Sequence, residues 1–195
     1  MDTLQDAVAT NDHSNQIATN FPGRFSITSA CGNKYLVLVY NIDPNWIHAV
    51  PIKFLKTKEL IWQFQTFYEA LQHNNFLIKE LQCDNEISRN IIGCITSQAP
   101  DYQLVDTYNH LSNPAEWAIQ SFKCHFISIL TGCDPHYPKD AWDTLIPYGN
   151  ITLNLFWASS IQSKLSAYVQ IHRNFYYNQF HLSPVRCKVI AYNKN

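Results

Sequence analysis

Apolar and polar positions change period several times along this chain, and each change marks an element. QIATNF (16–21) is a short apolar segment that meets the turn signal Pro22-Gly23. KYLVLVYN (34–41) is a continuous apolar run of β type, and WIHAVPI (46–52) follows it across Asp43-Pro44-Asn45. Two such runs around turn chemistry predict an antiparallel hairpin. In TKELIWQFQTFYEALQH (57–73) the period lengthens: apolar residues fall at 60, 61, 64, 67, 68 and 71, with Lys58, Glu59, Gln63 and Gln72 opposite. That spacing predicts a helix.

FLIKELQC (76–83) reads as a buried strand ending at Asp84-Asn85, NEISRNIIGCITSQ (85–98) as a short helix stopped near Pro100, and DYQLV (101–105) as a brief strand. SNPAEWAIQSFKCHFISIL (112–130) has apolar positions 115, 118, 119, 122, 126, 129 and 130, the clearest amphipathic helix in the chain. AWDTLIPYGNITLNLFWA (141–158) is also helical in pattern, with Pro147 and Gly149 implying a kink. A short helical piece around 164–171, a polar aromatic loop (172–183) and a strand-like CKVIAY (187–192) complete the chain. A hairpin feeding an alternation of strands and helices predicts a mixed α/β fold: an antiparallel hairpin plus parallel strands in a five-stranded sheet, flanked by helices. Working sites in such sheets gather at strand ends.

Composition narrows this picture. The 195 residues suit one domain, and 46% hydrophobic content with only 5 Gly supplies a substantial core. We expect a loose lead-in (1–15), a core (16–160) and a C-terminal extension (161–195) leading toward a further module. Fourteen Lys+Arg against 15 Asp+Glu give a net charge of −1, which argues against a protein living on phosphate contacts alone. The six cysteines (Cys31, Cys83, Cys94, Cys124, Cys133, Cys187) form no C-x-x-C pair and read as reduced, mostly buried thiols. The eight histidines make no zinc pattern, and no apolar run reaches the roughly 18–20 residues of a membrane span. The expectation is a soluble intracellular protein with no membrane partner. The five tryptophans, Trp46, Trp62, Trp117, Trp142 and Trp157, read as core or rim packing rather than base-stacking platforms. The basic and aromatic HRNFYYNQFH (172–181) reads as a packed linker, with nucleic-acid contact as its alternative.

Candidate chemistry sits where the pattern breaks. Asn20 ends the first strand, Asp84 ends the strand 76–83, and Glu116 lies on the first turn of the clearest helix. Carboxylates converging on one sheet edge can hold two divalent cations about 3.5–4 Å apart for phosphodiester chemistry. Mg²⁺ suits that work through its oxygen ligands and retained waters. Each residue also has a local explanation. Asp84 suits an N-cap, Glu116 completes a capping box with Asn113 and Pro114, and Asn20 suits a turn.

Longer motifs add to these readings. GRFSITSACGNKYLVLVYNIDPNWIHAVPIK (23–53), LQCDNEIS (81–88), NPAEWAIQSFKCHFISIL (113–130) and AWDTLIPYGNITLNLFWASSIQSKLSAYVQIHRNFYYN (141–178) occur in this order. Together they resemble the integrase catalytic core of copia-like retrotransposon polyproteins over about residues 16–192. There, L-D-N-E-x-S and N-A-A-E-R-A-I-x-x-F-K-N-H-F occupy the second and third positions, followed by a W-D-x-L-(I/L)-P segment. Thirty-one residues separate Asp84 from Glu116 here, in keeping with that pattern.

The resemblance implies an RNase H-like fold and an Asp/Asp/Glu site binding Mg²⁺ or Mn²⁺. It implies DNA as partner (element ends and target DNA), a possible homo-oligomer, work in the nucleus if chromosomal DNA is the target, and a place within a longer polyprotein. The second acid falls on Asp84 and the glutamate on Glu116. The first acid falls on Asn20, which is neutral and cannot bridge two cations. Asp12, eight residues upstream, lies roughly 26 Å away if the segment is extended. The family's basic H-R-R-N is His110-Leu111-Ser112-Asn113 here, and the Arg after its glutamate is Trp117. The resemblance therefore implies an impaired strand-transfer enzyme, or else an inactive nucleic-acid-associated or self-associating module.

Overall fold

The computed structural model describes residues 16–20, 23–74, 76, 78–84, 93, 101–105, 114–172, 174–179 and 182. Strand β1 (Gln16–Asn20) pairs antiparallel with β2 (Tyr35–Asn41), and β2 pairs antiparallel with β3 (Trp46–Ile52). Two further strands, β4 (Glu80–Asp84) and β5 (Asp101–Val105), add in parallel on the other side of β1. The order across the sheet is β3-β2-β1-β4-β5, with β1 at its centre. Helices α1 (Thr57–His73), α2 (Pro114–Thr131), α3 (Ile146–Phe156) and α4 (Ala167–His172) flank it, and a 3₁₀ helix (Lys139–Leu145) leads into α3.

The unbroken apolar run of β2 follows from burial on both faces. Successive side chains in a strand point to opposite sides. Val37 and Val39 therefore join Phe64, Phe67 and Leu71 of α1 and Ala167 and Ile171 of α4, while Leu36, Leu38 and Tyr40 join Phe122 and Phe126 of α2. The folded body thus continues through α4. At the hairpin turn Asn45 adopts φ 57°, a left-handed conformation that asparagine tolerates better than most residues.

β3 is an edge strand whose outward backbone groups meet side chains instead of another strand. Asn150 accepts from the Ala49 N–H (3.0 Å) and donates to the Ala49 carbonyl (2.8 Å). One turn later along α3, Asn154 does the same for Ile47, at 2.9 and 2.6 Å. Spacing of four on a helix puts both amides on one face, and they meet the strand's unpaired groups, which otherwise invite another chain.

Several expectations change. The strand expected from residue 76 begins at Glu80, because Phe76 closes the end of α1 by donating its N–H to the Leu71 carbonyl. The kinked helix over 141–158 is two elements, the 3₁₀ helix and α3. Pro147 lies in the first turn of α3, where its missing N–H costs nothing. The cysteines expected to be mostly buried are not, where their burial is described: Cys31 and Cys124 are exposed, and Cys133, whose thiol donates to the Ile129 carbonyl, is half-buried. Trp46 and Trp142 are core residues, but Trp62 and Trp117 are 60% and 55% exposed. Among the described residues, no helix is long and apolar enough to cross a membrane. The helix expected over 85–98, the strand over 187–192 and the lead-in 1–15 lie outside the described residues.

Candidate functional site

The sheet order decides which strand ends meet. β1 and β4 run parallel with Thr19 opposite Cys83, so positions 20 and 84 follow side by side at the C-terminal ends of neighbouring strands. Strands so paired lie about 4.8 Å apart. Position 20 shares the parity of Ala18, which packs beneath α2, and position 84 has the parity opposite to Leu81, which packs on the α1 face. Both positions therefore belong to the face of the sheet that α2 covers. Thr19 anchors the end of β1 by donating its hydroxyl to the Leu38 carbonyl at 3.1 Å.

Glu116 is the third residue of α2 and half-buried, on a helix that packs across β1 and β2. The first turn of a helix carries partial positive charge, which favours a carboxylate there. Asn113, its expected capping partner, lies outside the described residues. Asn20 and Asp84 thus end neighbouring parallel strands, and Glu116 opens the helix that packs on β1 and β2. Their donor set is two carboxylates and one neutral amide. Among the described residues, no three His, Cys, Asp or Glu side chains gather as a metal-binding group.

A basic corner escaped the sequence reading. Phe54, 46% exposed, lies beneath two ammonium groups, Lys56 at 4.9 Å and Lys34 at 5.6 Å from its ring centroid. Lys53 and Lys58 flank it in sequence. The signal was the spacing K-F-L-K-T-K (53–58), hidden in a chain whose charges cancel overall. A groove of about 500 Å³ opens between β3, α1, α3 and α4, lined by Trp46, His48, Phe67, Tyr168 and His172 among others. The His48 ring stacks on Trp46 at 5.4 Å and lies 5.9 Å from Phe67. Burial, and then the neighbouring His172, pull its pKa down to about 4.

No protein-family model and no curated protein sequence matches the chain. Solved structures do. A chain of the simian T-cell lymphotropic virus intasome in complex with PP2A regulatory subunit B56 gamma superposes with a TM-score of 0.60 at 16% identity. That match covers 93% of this chain but only 60% of the intasome chain. The fold is that of a retroviral integrase catalytic core. The HTLV-2 integrase catalytic core domain, in complex with magnesium, matches in its trimeric form with a TM-score of 0.58 at 15% identity, covering 82% of this chain and 97% of that one. Its dimeric form matches at 0.55 and 13%, with 83% and 97% covered.

Proposed function

We propose that this chain is the catalytic core of a retroelement integrase of the RNase H-like class, descended from an enzyme that joins DNA ends to target DNA, with its own chemistry impaired at Asn20. The observation that carries this reading is the adjacency of positions 20 and 84 at the C-terminal ends of two parallel strands. Glu116 lies on the helix that packs on β1 and β2, and the resemblance carried by the ordered motifs implies an Asp/Asp/Glu site for all three. The integrase-core fold supports the family, and the magnesium of the HTLV-2 domain supports a divalent cation as the cofactor of the ancestral site. The impairment follows from donor chemistry. One neutral amide oxygen cannot bridge two cations, so Mg²⁺ or Mn²⁺ is held weakly and strand transfer is slow or lost. The Lys34, Lys53 and Lys56 corner supplies phosphate contacts for DNA. The dimeric and trimeric forms of the HTLV-2 domain support self-association as a second property, which sedimentation would report.

Asn20→Asp is the direct test. It is expected to create a divalent-dependent rise in melting temperature and to raise strand transfer of labelled DNA ends in Mg²⁺ or Mn²⁺. Both gains should vanish in the Asn20→Asp, Glu116→Gln double variant. Absence of the rise would refute the metal assignment of Asn20. Full strand transfer by the unaltered protein, lost on Glu116→Gln, would refute the impairment.

A further inference from the structure

The indole of Trp117 is the least expected surface near the candidate site. It follows Glu116 on the first turn of α2 and is 55% exposed, although a residue of this size and apolarity is highly buried on average. One part of it is packed: Trp157 stacks against it with ring centroids 4.9 Å apart and planes 24° from parallel. Tyr40 meets it edge-on at 6.2 Å and 60°. The layer beneath is held firmly. The backbone of Trp157 is fixed at both its groups: its amide N–H donates to the Leu153 carbonyl at 3.0 Å and its carbonyl accepts from the Ala167 N–H at 2.7 Å. Tyr40, itself buried, donates its hydroxyl to Asn45 at 3.0 Å, and Asn45 donates in turn to the Ala158 carbonyl at 2.9 Å. The result is a two-layer aromatic stack on a fixed base, its outer layer open to solvent.

The stack stands close to the strand ends. Tyr40 is paired with Ala18, two residues before position 20 on β1, which is about 7 Å along the strand. We propose that Trp117, backed by Trp157, is a stacking seat for an unpaired nucleobase, so that the molecule takes single-stranded nucleic acid beside the candidate site in preference to intact duplex. This rests on the proposed function for its choice of nucleic acid as occupant. Three observations favour a base. An offset aromatic stack is extended most readily by another planar ring. Every base offers such a ring without needing charge. The rings that meet Trp117, those of Trp157 and Tyr40, are uncharged, so the seat offers a π face and not a phosphate contact. In a duplex, neighbouring pairs cover the faces of each base, so a single strand fits the seat and interior duplex does not.

The test uses the full chain in EDTA, so that metal binding plays no part. Oligo-dT is titrated against tryptophan fluorescence, with an abasic deoxyribose-phosphate oligomer and a long blunt-ended duplex as controls; the duplex should quench far less than oligo-dT, and equal quenching by it would overturn the preference for a single strand. The expected result is quenching by oligo-dT and not by the abasic oligomer, with the quenched component missing in Trp117→Phe. Trp117→Ala should weaken oligo-dT binding about five- to hundredfold and Trp117→Phe much less, since a phenyl ring still stacks. Trp62→Phe, on the opposite side of the sheet, should leave the quenched component unchanged. Quenching by oligo-dT, set beside a failed Asn20→Asp metal response, would separate a working base seat from a wrong metal site. Equal quenching by the abasic oligomer would overturn the proposal. So would unchanged oligo-dT affinity in Trp117→Ala, including the case where that variant alters only the sedimentation of the protein and marks a self-association surface.

Discussion

His48 shows how a single side chain ties the fold to pH. Its folded pKa of about 4 lies below the ordinary value of 6.5 because burial disfavours the charged ring and His172 adds like charge. The folded state therefore binds fewer protons than the unfolded chain between these values. The stability this residue contributes is intact above pH 6.5 and is lost as pH falls toward 4, by up to about 3 kcal/mol. Burial shifts His125 and His172 the same way, so the three losses share a direction. Urea denaturation at pH 7.5 and pH 5 should show the drop, and His48→Phe should flatten it; an undiminished slope in that variant would assign the effect elsewhere. At this scale the candidate site was only partly legible. Glu116 taken alone fits a capping box better than chemistry, since a carboxylate on the first turn of a helix already has a local reason, and only the resemblance pointed beyond it. Trp117 could not be told from a core residue, because its neighbours Trp157 and Tyr40 are 40 and 77 residues away in sequence.

Among the elements, those with a full amphipathic period were legible to within a residue or two. α1 follows the spacing of its apolar positions, and the β2–β3 hairpin follows its turn residues. The elements misread were those where an apolar residue packs without regular pairing. Phe76 and Ile78 pack from a loop against the core between the sheet and α1, so their apolarity extended the apparent strand. Gly149 and Pro147 suggested a single bent helix, yet Pro147 starts α3 and Gly149 lies within it. A methyl group at Gly149 would lie 3.5 Å from Ile129 Cδ1 and Phe126 Cδ2, which is ordinary contact. Gly149→Ala is therefore expected to stabilise the protein by up to about 1 kcal/mol through helix propensity. Thermal unfolding checks this, and a lower melting temperature would mean that α3 and α2 cannot yield the space.

For the whole molecule, the sheet order carries what the sequence could not. Nothing in the residues of β4 says that it inserts beside β1, and only that neighbour relation brings Asn20 to Asp84. Net charge misled in a similar way: a total of −1 conceals the corner of Lys34, Lys53 and Lys56 around Phe54. If that corner neutralises phosphates, Lys53→Gln with Lys56→Gln should reduce the slope of log affinity for duplex DNA against log salt by about 1.8. An unchanged slope would remove the corner from the interface. The paired asparagines of α3 have a consequence in time. They close bonds across 101 and 107 residues of chain, whereas β2 and β3 meet across a turn of a few. The hairpin is thus among the first contacts the chain can afford and its outer edge among the last to be sealed. During synthesis that edge stays adhesive until the ribosome has released Asn154, and any fragment ending before Asn150 would carry it open for good.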